Sequence, residues 1–450
     1  MKTIFLYALL LSLLFFGCKG KSDTKNDPTS DTNVEAKAGA AVEIAKTSTT
    51  ATFLSLSDVH VDVDLKETTF GSSSISVTSD VLWNKTKTKI ESVVKTEEPQ
   101  FMVYLGDLPG YDDNERRENT HSMLENLRSL QVGIPILYLP GNNDSLEGDY
   151  HSFTNANGNS VLTKDADPSN PWPILNGSST VTRPTNLDFN KEFGYYSVDL
   201  VNNGKTLKVI ALNTVIFSNS GSHPYVGDDG VSQQKATQDQ MHWFETTMKN
   251  LAANDRVMIM MHIPIGIDGY GGSPMWKPSL TYTDLSGTSH TLNNGFIDIL
   301  EKHQKNITGL LNGHTHTDGL RRIYKSHTSD KVADMISYSI STPGIAVNHG
   351  NNPAFKVFTY NTVNFDLLDF KTYYAAPTNS AKNGDFQYNS NQTYTFKNVY
   401  KALTVGETIF TTLSNDSQTE VVQYVNETLG TKSNQGVKLN FDNAVDVHKN

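Results

Sequence analysis

The sequence predicts an α/β fold in which two β-sheets pack together as a sandwich, helices flank the sheets, and a helical subdomain follows at the C-terminus. Three observations support this prediction. Short apolar, β-rich runs alternate with helical patterns, further strand-like runs come after them, and from about residue 376 the chain becomes rich in Asn, Ser and Thr. Alternation of strands with helices is typical of α/β proteins, and the later strands supply a second sheet.

The predicted strands are short apolar runs that end in clusters of polar residues, which is the pattern of buried strands. In chain order the first six are Thr52–Ser57, Phe101–Leu105, Ile134–Leu139, Leu207–Leu212, Val257–Met261 and Thr308–Leu311. The strands assigned to the second sheet are Ile336–Ser341, Lys356–Tyr360 and Asn364–Phe370.

Helical patterns lie between these strands and in the C-terminal part. The three predicted helices between strands are Val81–Val94, Arg116–Leu130 and Lys235–Leu251. In the last of them, apolar residues recur at three- and four-residue spacing, as on the buried face of a helix. Weaker helical patterns cover Asn398–Leu403 and Gln418–Leu429, so we expect residues 376–450 to form a helical subdomain and tail.

The composition limits the classes of partner. The 450 residues include 48 acidic and 37 basic side chains, which give a net charge of −11. This balance, without a block of Lys or Arg, argues against a nucleic-acid duplex as partner. The single cysteine, Cys18, excludes an intramolecular disulfide. We expect the chain to act as a monomer.

The N-terminus has the pattern of a bacterial lipoprotein signal. Lys2 begins a basic region, Ile4–Phe16 is apolar, and a glycine directly precedes Cys18. The apolar run is shorter than the roughly 20 residues that span a membrane. We therefore expect residues 1–18 to be a lipoprotein signal peptide with Cys18 as the lipidation site, although a plain signal peptide or an uncleaved anchor is an alternative. The expected location is outside the inner membrane, facing the periplasm or at the cell surface.

Residues 19–51 are mostly small and polar, which predicts a flexible tether between the lipid anchor and the folded domain of residues 52–375.

Six polar clusters follow predicted strands, and all of them supply oxygen or imidazole nitrogen atoms. They are Asp58-Val59-His60, Gly106-Asp107, Gly141-Asn142-Asn143-Asp144, His262-Ile263-Pro264, Gly313-His314-Thr315-His316 and Gly350-Asn351-Asn352-Pro353-Ala354-Phe355. Residues two apart on a strand point to the same side, so the Asp58–His60 and His314–His316 pairs are each expected to direct two ligands at one point.

These clusters predict a site for two metal ions. A single Asp or His at a strand end is more often an ordinary turn residue, but the ordered series of clusters indicates a shared function. Asp, Asn and His donors without thiolate suit zinc, manganese or iron, and seven ligands are too many for one ion. We therefore expect two divalent ions that share one carboxylate. Zinc is the first choice, and manganese or iron are alternatives.

The order of the clusters resembles that of the calcineurin-like metallophosphoesterases, whose blocks are DxH, GD, GNH[DE], H and GHxH. Three segments narrow the resemblance to the acid sphingomyelinase-like phosphodiesterases, because they match HIPPG-, GHTHxD- and GNNPAFRVY-like blocks. These segments are His262–Gly266, His314–Asp318 and Gly350–Phe358. The resemblance covers about Thr52 to Leu429 and implies that residues 52–375 form a metallophosphoesterase catalytic domain.

The resemblance also implies a role for each ligand. The implied ligand sets are Asp58, His60, Asp107 and His316 for one ion, and Asp107, Asn142, His262 and His314 for the other. A hydroxide that bridges the ions would attack phosphorus. The implied substrate has a phosphodiester or pyrophosphate bond and is either a phosphocholine-type lipid or headgroup or a nucleotide derivative. A phosphomonoesterase activity is a less favoured alternative.

Two positions depart from the family pattern. Asn143 and Tyr111 stand where the family has histidines that assist the leaving group or the phosphoryl group. Asn carries no acidic proton, and Tyr, with a pKa near 10, is a poor acid at neutral pH. Three interpretations remain open. In the first, another histidine takes the role of the two missing ones, with His349 as the first candidate and His151 and His223 after it. In the second, the substrate has an acidic leaving group that departs without a proton. In the third, the protein is a metal-containing surface binding lipoprotein with weak or no activity.

Three residues are candidates for substrate binding. Tyr270 and Trp276 belong to a glycine-rich segment after His262, where an aromatic ring could stack on a base or contact a choline by cation–π interaction. Packing of Trp276 on the scaffold is the alternative. Asn351, in the Gly350 cluster, is the third candidate. Asp318 and Arg321 are expected to have orienting or structural roles.

Overall fold

The computed structural model describes residues 42–43, 48–65, 77–153, 173–175, 188–190, 193–202, 204–221, 223–227, 231–268, 272–329, 331–349, 351–377, 385–399, 407–414 and 444–449. Cys18, Tyr270 and the predicted helix Gln418–Leu429 lie outside this part of the chain. None of the helices that the structure describes is both long and apolar enough to cross a membrane.

Most regular structure is β. In chain order the strands are β1 (Val42–Glu43), β2 (Thr50–Leu56), β3 (Val61–Asp62), β4 (Thr78–Ser79), β5 (Met102–Tyr104), β6 (Ile136–Tyr138), β7 (Ile174–Leu175), β8 (Asp188–Asn190), β9 (Tyr195–Asn202), β10 (Lys205–Leu212), β11 (Arg256–Met261), β12 (Thr281–Thr283), β13 (Ser289–Thr291), β14 (Ile307–Asn312), β15 (Gly319–Tyr324), β16 (Met335–Ser341), β17 (Ala354–Asn361), β18 (Leu367–Tyr374), β19 (Ala376–Pro377), β20 (Phe386–Gln387), β21 (Thr393–Thr395) and β22 (Ala444–Val447).

The described residues form six helices. They are α1 (Asp80–Glu97), α2 (Arg116–Arg128), α3 (Gln233–Lys249), α4 (Leu292–Lys302), α5 (Phe396–Val399) and α6 (Ile409–Leu413), with 3₁₀ turns at Thr214–Phe217 and Val332–Asp334. Serine or threonine side chains cap α1, α3 and α4, since Ser79, Ser232 and Thr291 each accept a hydrogen bond from a backbone N–H of the first turn.

Two large mixed sheets form the framework, which confirms the predicted α/β fold. One sheet has the order β1-β9-β10-β11-β14-β16-β15-β22, with β8 paired to β9, and the other has the order β21-β18-β17-β2-β5-β6-β7. Within them, β2, β5 and β6 run parallel, as do β10, β11, β14 and β16. Because parallel strands end at the same edge of a sheet, the loops that follow them gather there.

Alternating residues of β11 show how the sheets and helices pack. Met258 and Met260 belong to a core that also contains residues of β2, β5 and β17, so they face the other sheet. Ile259 and Met261 belong to a second core, which contains residues of α3 and α4, among them Phe244. This two-residue period is that of a strand buried on both faces.

The nine predicted strands and the three predicted helices are all present, with ends that shift by a few residues. Among the described elements of six residues or more, three had no sequence prediction: β9, β15 and α4. In β15 two consecutive arginines, Arg321 and Arg322, are buried, and buried arginine does not follow the usual apolar pattern of a strand. In α4, Gly295 weakens the helical pattern, but a Cβ at this position would lie 2.6 Å from the ring of Tyr282.

The described segments after residue 376 are mostly strands, and not the expected helices. Among the described residues after 376, β21 pairs with β18 and β22 pairs with β15, so these segments extend the two large sheets. The only described helices there, α5 and α6, have four and five residues. Of the predicted helix Asn398–Leu403, only the first two residues are described.

A buried ion pair fixes β22 to the sheet. The Arg322 guanidinium donates two hydrogen bonds to Asp446, Nε to Oδ1 at 2.8 Å and Nη2 to Oδ2 at 2.9 Å. Their side chains are 1% and 7% exposed. Removal of one partner would leave the other charge buried without compensation.

We therefore expect Asp446→Asn to lower the free energy of unfolding by about 3 kcal/mol, as for other broken buried pairs. Urea denaturation of the metal-free chain measures it. Asp239→Asn is the matched control, because Asp239 forms an exposed pair with Lys235 on α3, whose loss should cost no more than about 0.5 kcal/mol. Equal, small effects of both substitutions would contradict the proposed importance of the buried pair.

Candidate metal centre

The predicted ligands lie just after the carboxyl ends of five strands. Asp58 and His60 follow β2, Asp107 follows β5, and Asn142 follows β6. From the other sheet, the ligand after β11 is His262, and the ligands after β14 are His314 and His316. Backbone hydrogen bonds join the two sheets here: the amides of Ile345 and Ala346 both donate to Asp58 O at 3.1 Å. The structure thus brings together all seven predicted metal ligands.

The paired ligands, Asp58 with His60 and His314 with His316, point toward the centre because their backbone is left-handed, and not because they alternate along a strand. Asp58, His60, Asp107, His314 and His316 have φ angles of 50°, 45°, 62°, 70° and 57°. They are five of the eight described non-glycine residues with positive φ. Such angles are uncommon outside glycine and are held in place by the surrounding structure, often at functional sites. The sequence argument predicted the right pairs for a wrong geometric reason, because the ligands lie in turns beyond the strands.

Glycines allow the turns to approach one another closely. A Cβ on Gly106, whose φ is +100°, would lie 2.5 Å from Gly141 N. A Cβ on Gly313 would lie 2.0 Å from Ser57 Oγ and 2.8 Å from Asp58 Oδ2. No larger residue fits these positions without movement of the turns that carry the ligands.

The ligand atoms form two adjacent groups. In each group the donor atoms all lie within 4.8 Å of one another: Asp58, His60 and His316 in the first, and Asp107, His262 and His314 in the second. Asp107 joins the groups, because its Oδ2 is 3.2 Å from both His60 Nε2 and His262 Nε2. One carboxylate oxygen therefore lies between an imidazole of each group, which is where a bridging ligand must be.

Asn142 completes the second group. Its Oδ1 is 3.0 Å from His262 Nε2 and 2.9 Å from His314 Nδ1, so an amide oxygen faces the same space as the imidazoles. Its Nδ2 donates to Asp149 Oδ1 at 2.7 Å. Asp149 thereby fixes the orientation of the amide, with oxygen toward the centre. Sequence reasoning did not identify Asp149.

Further contacts orient the ligands from behind. The Nδ1 atoms of His60 and His262 contact the carbonyl oxygens of Pro109 and Leu105, at 3.0 and 2.6 Å, which leaves Nε2 of each ring for the centre. Asp144 accepts hydrogen bonds from the amides of Asp107, Leu108 and Gly141 at 2.9, 2.6 and 2.6 Å. This carboxylate, which sequence reasoning placed in a cluster but gave no role, locks the Asp107 turn to the Asn142 turn.

Protons balance the charge of the metal-free centre. Burial favours the neutral form of every group, but the neighbouring Asp107 carboxylate overcomes this effect and raises the pKa of His262 to about 9. Conversely, although burial opposes it, the charges on His262 and His60 hold the pKa of Asp107 well below its usual range. Burial, together with the charge on His262, lowers the pKa of His314 to about 3. The centre therefore attracts positive charge, as a cation site must.

Both residues that replace family histidines lie at the centre. The Asn143 backbone amide donates to Asp107 Oδ1 at 2.8 Å and its Nδ2 donates to Asp107 Oδ2 at 3.2 Å. Its buried Oδ1 has no hydrogen-bond partner among the described residues. The Tyr111 hydroxyl is 3.3 Å from His60 Nε2 and accepts a hydrogen bond from Asn348 at 2.8 Å. Loss of solvent around the hydroxyl and the nearby carboxylates of Asp107 and Asp58 raise the pKa of Tyr111 well above its usual value, so the phenol keeps its proton.

Two other predicted site residues, His349 and Asn351, lie on the loops that pack against His316. The half-buried His349 ring packs against His316, with centroids 4.7 Å apart. Burial and the charge on His60 lower the pKa of His349 to about 4, so this imidazole is neutral at pH 7. Asn351 is buried, and its Nδ2 donates to the carbonyl oxygens of Gly344 and Ala346, on the loop that supports His316. These contacts hold the loop that packs on His316.

Trp276 packs on the scaffold. It is 2% exposed, its Nε1 donates to Ile263 O at 3.0 Å, and its ring contacts Phe217 and Phe296. A buried ring with this hydrogen bond presents no free face for stacking on a substrate. Trp276 is therefore a scaffold residue, and the expected contact with substrate is wrong.

Asp318 and Arg321 have the structural roles that the sequence predicted. Asp318 forms a buried ion pair with Lys356 of β17 and accepts a hydrogen bond from Tyr394, so it links the two sheets directly behind His316. Arg321 donates to the carbonyl oxygens of Ile265 and Ile267, on the loop after His262.

Metal binding should release protons at neutral pH. Because the pKa of His262 is about 9, this ring is protonated in the metal-free chain at pH 7, and a metal ion must displace the proton to bind Nε2. We expect apparent affinity for Zn²⁺ or Mn²⁺ to rise with pH toward 9, and proton release to diminish above pH 9.

Isothermal titration calorimetry in buffers of different ionisation enthalpy measures this release. We expect about one proton or more per chain at pH 7. His303→Gln, outside the centre on the end of α4, is the control and should leave the release unchanged. An observed binding enthalpy that does not depend on the buffer would contradict the prediction.

Comparison with known proteins identifies the family. Residues 51–318 match the family described as calcineurin-like phosphoesterase. The Homo sapiens cyclic GMP-AMP phosphodiesterase SMPDL3A is 25% identical over 316 residues, which cover 66% of this chain and 62% of that protein. The Dictyostelium discoideum sphingomyelinase phosphodiesterase C is 26% identical over 337 residues, which cover 71% of this chain and 68% of that protein.

The Homo sapiens acid sphingomyelinase-like phosphodiesterase 3b is 22% identical over 356 residues, which cover 72% of this chain and 70% of that protein. The match to the Homo sapiens SMPDL3A protein spans 62% of that protein, which is less than two thirds of its length. The family match covers more than half of this chain and includes every ligand of the candidate centre up to His316. The chain belongs to the calcineurin-like phosphoesterase family.

Proposed function

We propose that the chain is a phosphodiesterase that uses two divalent metal ions. One observation carries the proposal: Asp107 Oδ2 lies 3.2 Å from an imidazole nitrogen of each ligand group. A shared carboxylate between two groups of N and O donors is the arrangement that two-metal phosphoesterases require.

The donor sets fit divalent ions. Each has one carboxylate, two imidazoles and, through Asp107 or Asn142, a further oxygen, without any thiolate, and this chemistry suits Zn²⁺, Mn²⁺ or Fe²⁺. Bound ions would supply Lewis acidity toward phosphoryl oxygens and would lower the pKa of water. Zinc is our first choice, on donor chemistry alone.

Residues of the chain itself would orient the phosphoryl group. The neutral Tyr111 hydroxyl accepts from Asn348, so its own proton remains available to a phosphoryl oxygen beside His60. Asn143 Oδ1 has no partner in the part of the chain that the structure describes, so it can accept a hydrogen bond from substrate or water, while Nδ2 of the same residue holds Asp107. Hydrogen-bond donors fixed before reaction stabilise charge that develops in the transition state.

The substrate class is proposed from relatives. One relative is named for cyclic GMP-AMP and another for sphingomyelin, so a nucleotide phosphodiester or pyrophosphate and a phosphocholine-type lipid or headgroup are both substrates to test. The two classes differ in their leaving groups. A nucleotide pyrophosphate bond has an acidic leaving group, whereas a ceramide alkoxide needs a proton. At pH 7 neither Asn143, Tyr111 nor the neutral His349 is a good source of that proton.

We expect chelator-sensitive hydrolysis of at least one diester by metal-loaded chain. The panel is bis-nitrophenyl phosphate, CDP-choline, a dinucleotide phosphodiester and sphingomyelin, with nitrophenyl phosphate to detect phosphomonoesterase activity. Because Asp107 serves both ligand groups, Asp107→Asn should lower turnover by at least about 10³-fold, since two-metal stabilisation is lost.

Bound metal is measured on the same samples, and His303→Gln is the control. Two bound ions with no turnover on any ester would contradict a phosphodiesterase and favour a metal-containing binding protein. Turnover of the monoester alone would favour a phosphomonoesterase.

We also propose that the chain is an exported lipoprotein attached to a membrane through Cys18. The support is the sequence pattern of Lys2, Ile4–Phe16 and the glycine before Cys18. An acyl chain gives membrane affinity in proportion to its buried methylene groups, and more than one chain is needed for stable attachment.

Substitution of Cys18 tests this attachment. In an expressing bacterium, Cys18→Ser should abolish incorporation of labelled palmitate and shift the protein out of the detergent phase in Triton X-114 partition. Ser22→Ala, four residues away, should leave both unchanged. Labelling that persists in Cys18→Ser would show that lipid is attached elsewhere or that the label is not specific.

A further inference from the structure

We infer that Asp149 and His223 form a dyad at the rim of the metal centre, in which His223 gives the leaving group its proton. The inference rests on the proposed phosphodiesterase function and assigns the acid that Asn143 and Tyr111 do not supply. It also predicts that poor leaving groups, such as alkoxides, are accepted.

Asp149 connects the dyad to the centre. One carboxylate oxygen, Oδ1, accepts the 2.7 Å hydrogen bond from the ligand Asn142, and the other, Oδ2, is 3.5 Å from His223 Nδ1. The dyad therefore lies beside the ligand Asn142, which directly precedes the position where the family has a histidine. Exposure increases outward along this chain of contacts, from 5% for Asn142 to 25% for the Asp149 side chain and 61% for that of His223.

Backbone pairing holds the two residues in register. Tyr150 N donates to Asn142 O at 2.8 Å, which fixes the segment after Asp149 to the ligand turn. Val226 N donates to Tyr150 O at 3.1 Å, and Ser152 N donates to Val226 O at 2.7 Å. These bonds join the segment that carries Asp149 to the segment that carries His223.

Tyr150 itself is in an unusual conformation. Its φ is +57°, a cost that non-glycine residues bear where the surroundings impose it. Its ring stacks with that of His223, with centroids 6.3 Å apart and planes 15° from parallel. The His223 amide also donates to Ser220 Oγ at 3.1 Å. The imidazole is thus oriented by its loop, by a ring and by a carboxylate.

The contact with Asp149 determines which nitrogen can act. A carboxylate at Nδ1 favours the tautomer with the proton on that atom and orients the ring. Nε2 is then the atom available to substrate. In the proposed step, a hydroxide ion derived from water forms a bond to phosphorus and the P–O bond to the leaving group breaks. The electron pair passes to the leaving oxygen, which takes the Nε2 proton of protonated His223 and departs as an alcohol.

His349, the first sequence candidate, is placed less well for this role. It is half-buried, and its ring packs 4.7 Å from that of the ligand His316, so a proton on it would face the charge of a bound ion. His223 instead contacts the Asp149 carboxylate, which separates its ring from the candidate ligand Asn142.

Leaving-group dependence tests the dyad. His223→Gln and His349→Gln are compared with wild type, loaded with Zn²⁺ or Mn²⁺, on two methyl phosphodiesters that differ only in leaving group, nitrophenol and an aliphatic alcohol. We expect His223→Gln to lose about 10²-fold or more on the alkyl ester and less than about 3-fold on the nitrophenyl ester, because only the alkoxide needs a proton. His303→Gln is the matched control, and metal content should be equal in all variants.

A second readout does not depend on activity. In ¹⁵N-labelled protein with metal bound, neutral His223 should carry its proton on Nδ1, opposite to the usual Nε2 tautomer of exposed histidine, and Asp149→Ala should reverse this preference.

Equal losses on both esters, no loss in His223→Gln, or selective loss in His349→Gln alone would overturn the dyad while the phosphodiesterase function stands. An Nε2 proton on wild-type His223 would also overturn it. A wild-type chain that binds two ions but cleaves no diester would refute the proposed function, and the proton-donor role with it.

Discussion

The candidate centre depends on the position of one buried carboxylate, that of Asp107, between imidazoles that come from different sheets. Its Oδ2 is equally distant from His60, after a strand of the smaller sheet, and His262, after a strand of the larger sheet. A carboxylate in this position repels further negative charge and attracts cations, so the remaining ligands can converge only if protons or metal ions compensate. The meeting of two sheet edges supplies the geometry, and Asp107 supplies the charge.

The local structure around Asp107 shows how the chain holds such a group in place. Asp144 receives three backbone amides and so ties the Asp107 turn to the Asn142 turn, and Gly106 and Gly141 let these turns come within van der Waals contact. Five ligands adopt left-handed backbone. The free energy that such conformations cost, of order 1–3 kcal/mol each, must be offset by packing elsewhere in the fold. Large buried cores on both faces of the larger sheet provide it.

The sequence was sufficient for the main strands and the metal ligands, but not for the grouping of strands into sheets or for the surroundings of the centre. The strand β16, expected in one sheet with β17 and β18, lies instead in the sheet of β10, β11 and β14. Strands such as β11 are apolar along their length, so the run itself is visible in the sequence, and ligands follow it directly in the chain. Buried polar residues gave no such signal. The burial of Arg322 is explained only by its ion pair with Asp446, which is 124 positions away in the chain. The same holds for Asp149, because nothing in its neighbourhood shows that it will contact Asn142 and His223. The buried state of Trp276 likewise depends on contacts with distant Phe217 and Phe296.

The most direct test of the account is a crystal structure of the metal-loaded chain with anomalous scattering measured at the absorption edge of the added metal. The account predicts two anomalous peaks about 3.5–4 Å apart, as in other two-metal sites, with the Asp107 carboxylate in contact with both and Asn142 Oδ1 in contact with one. A single peak, or two peaks of which only one contacts Asp107, would contradict the central claim that this carboxylate bridges two ions.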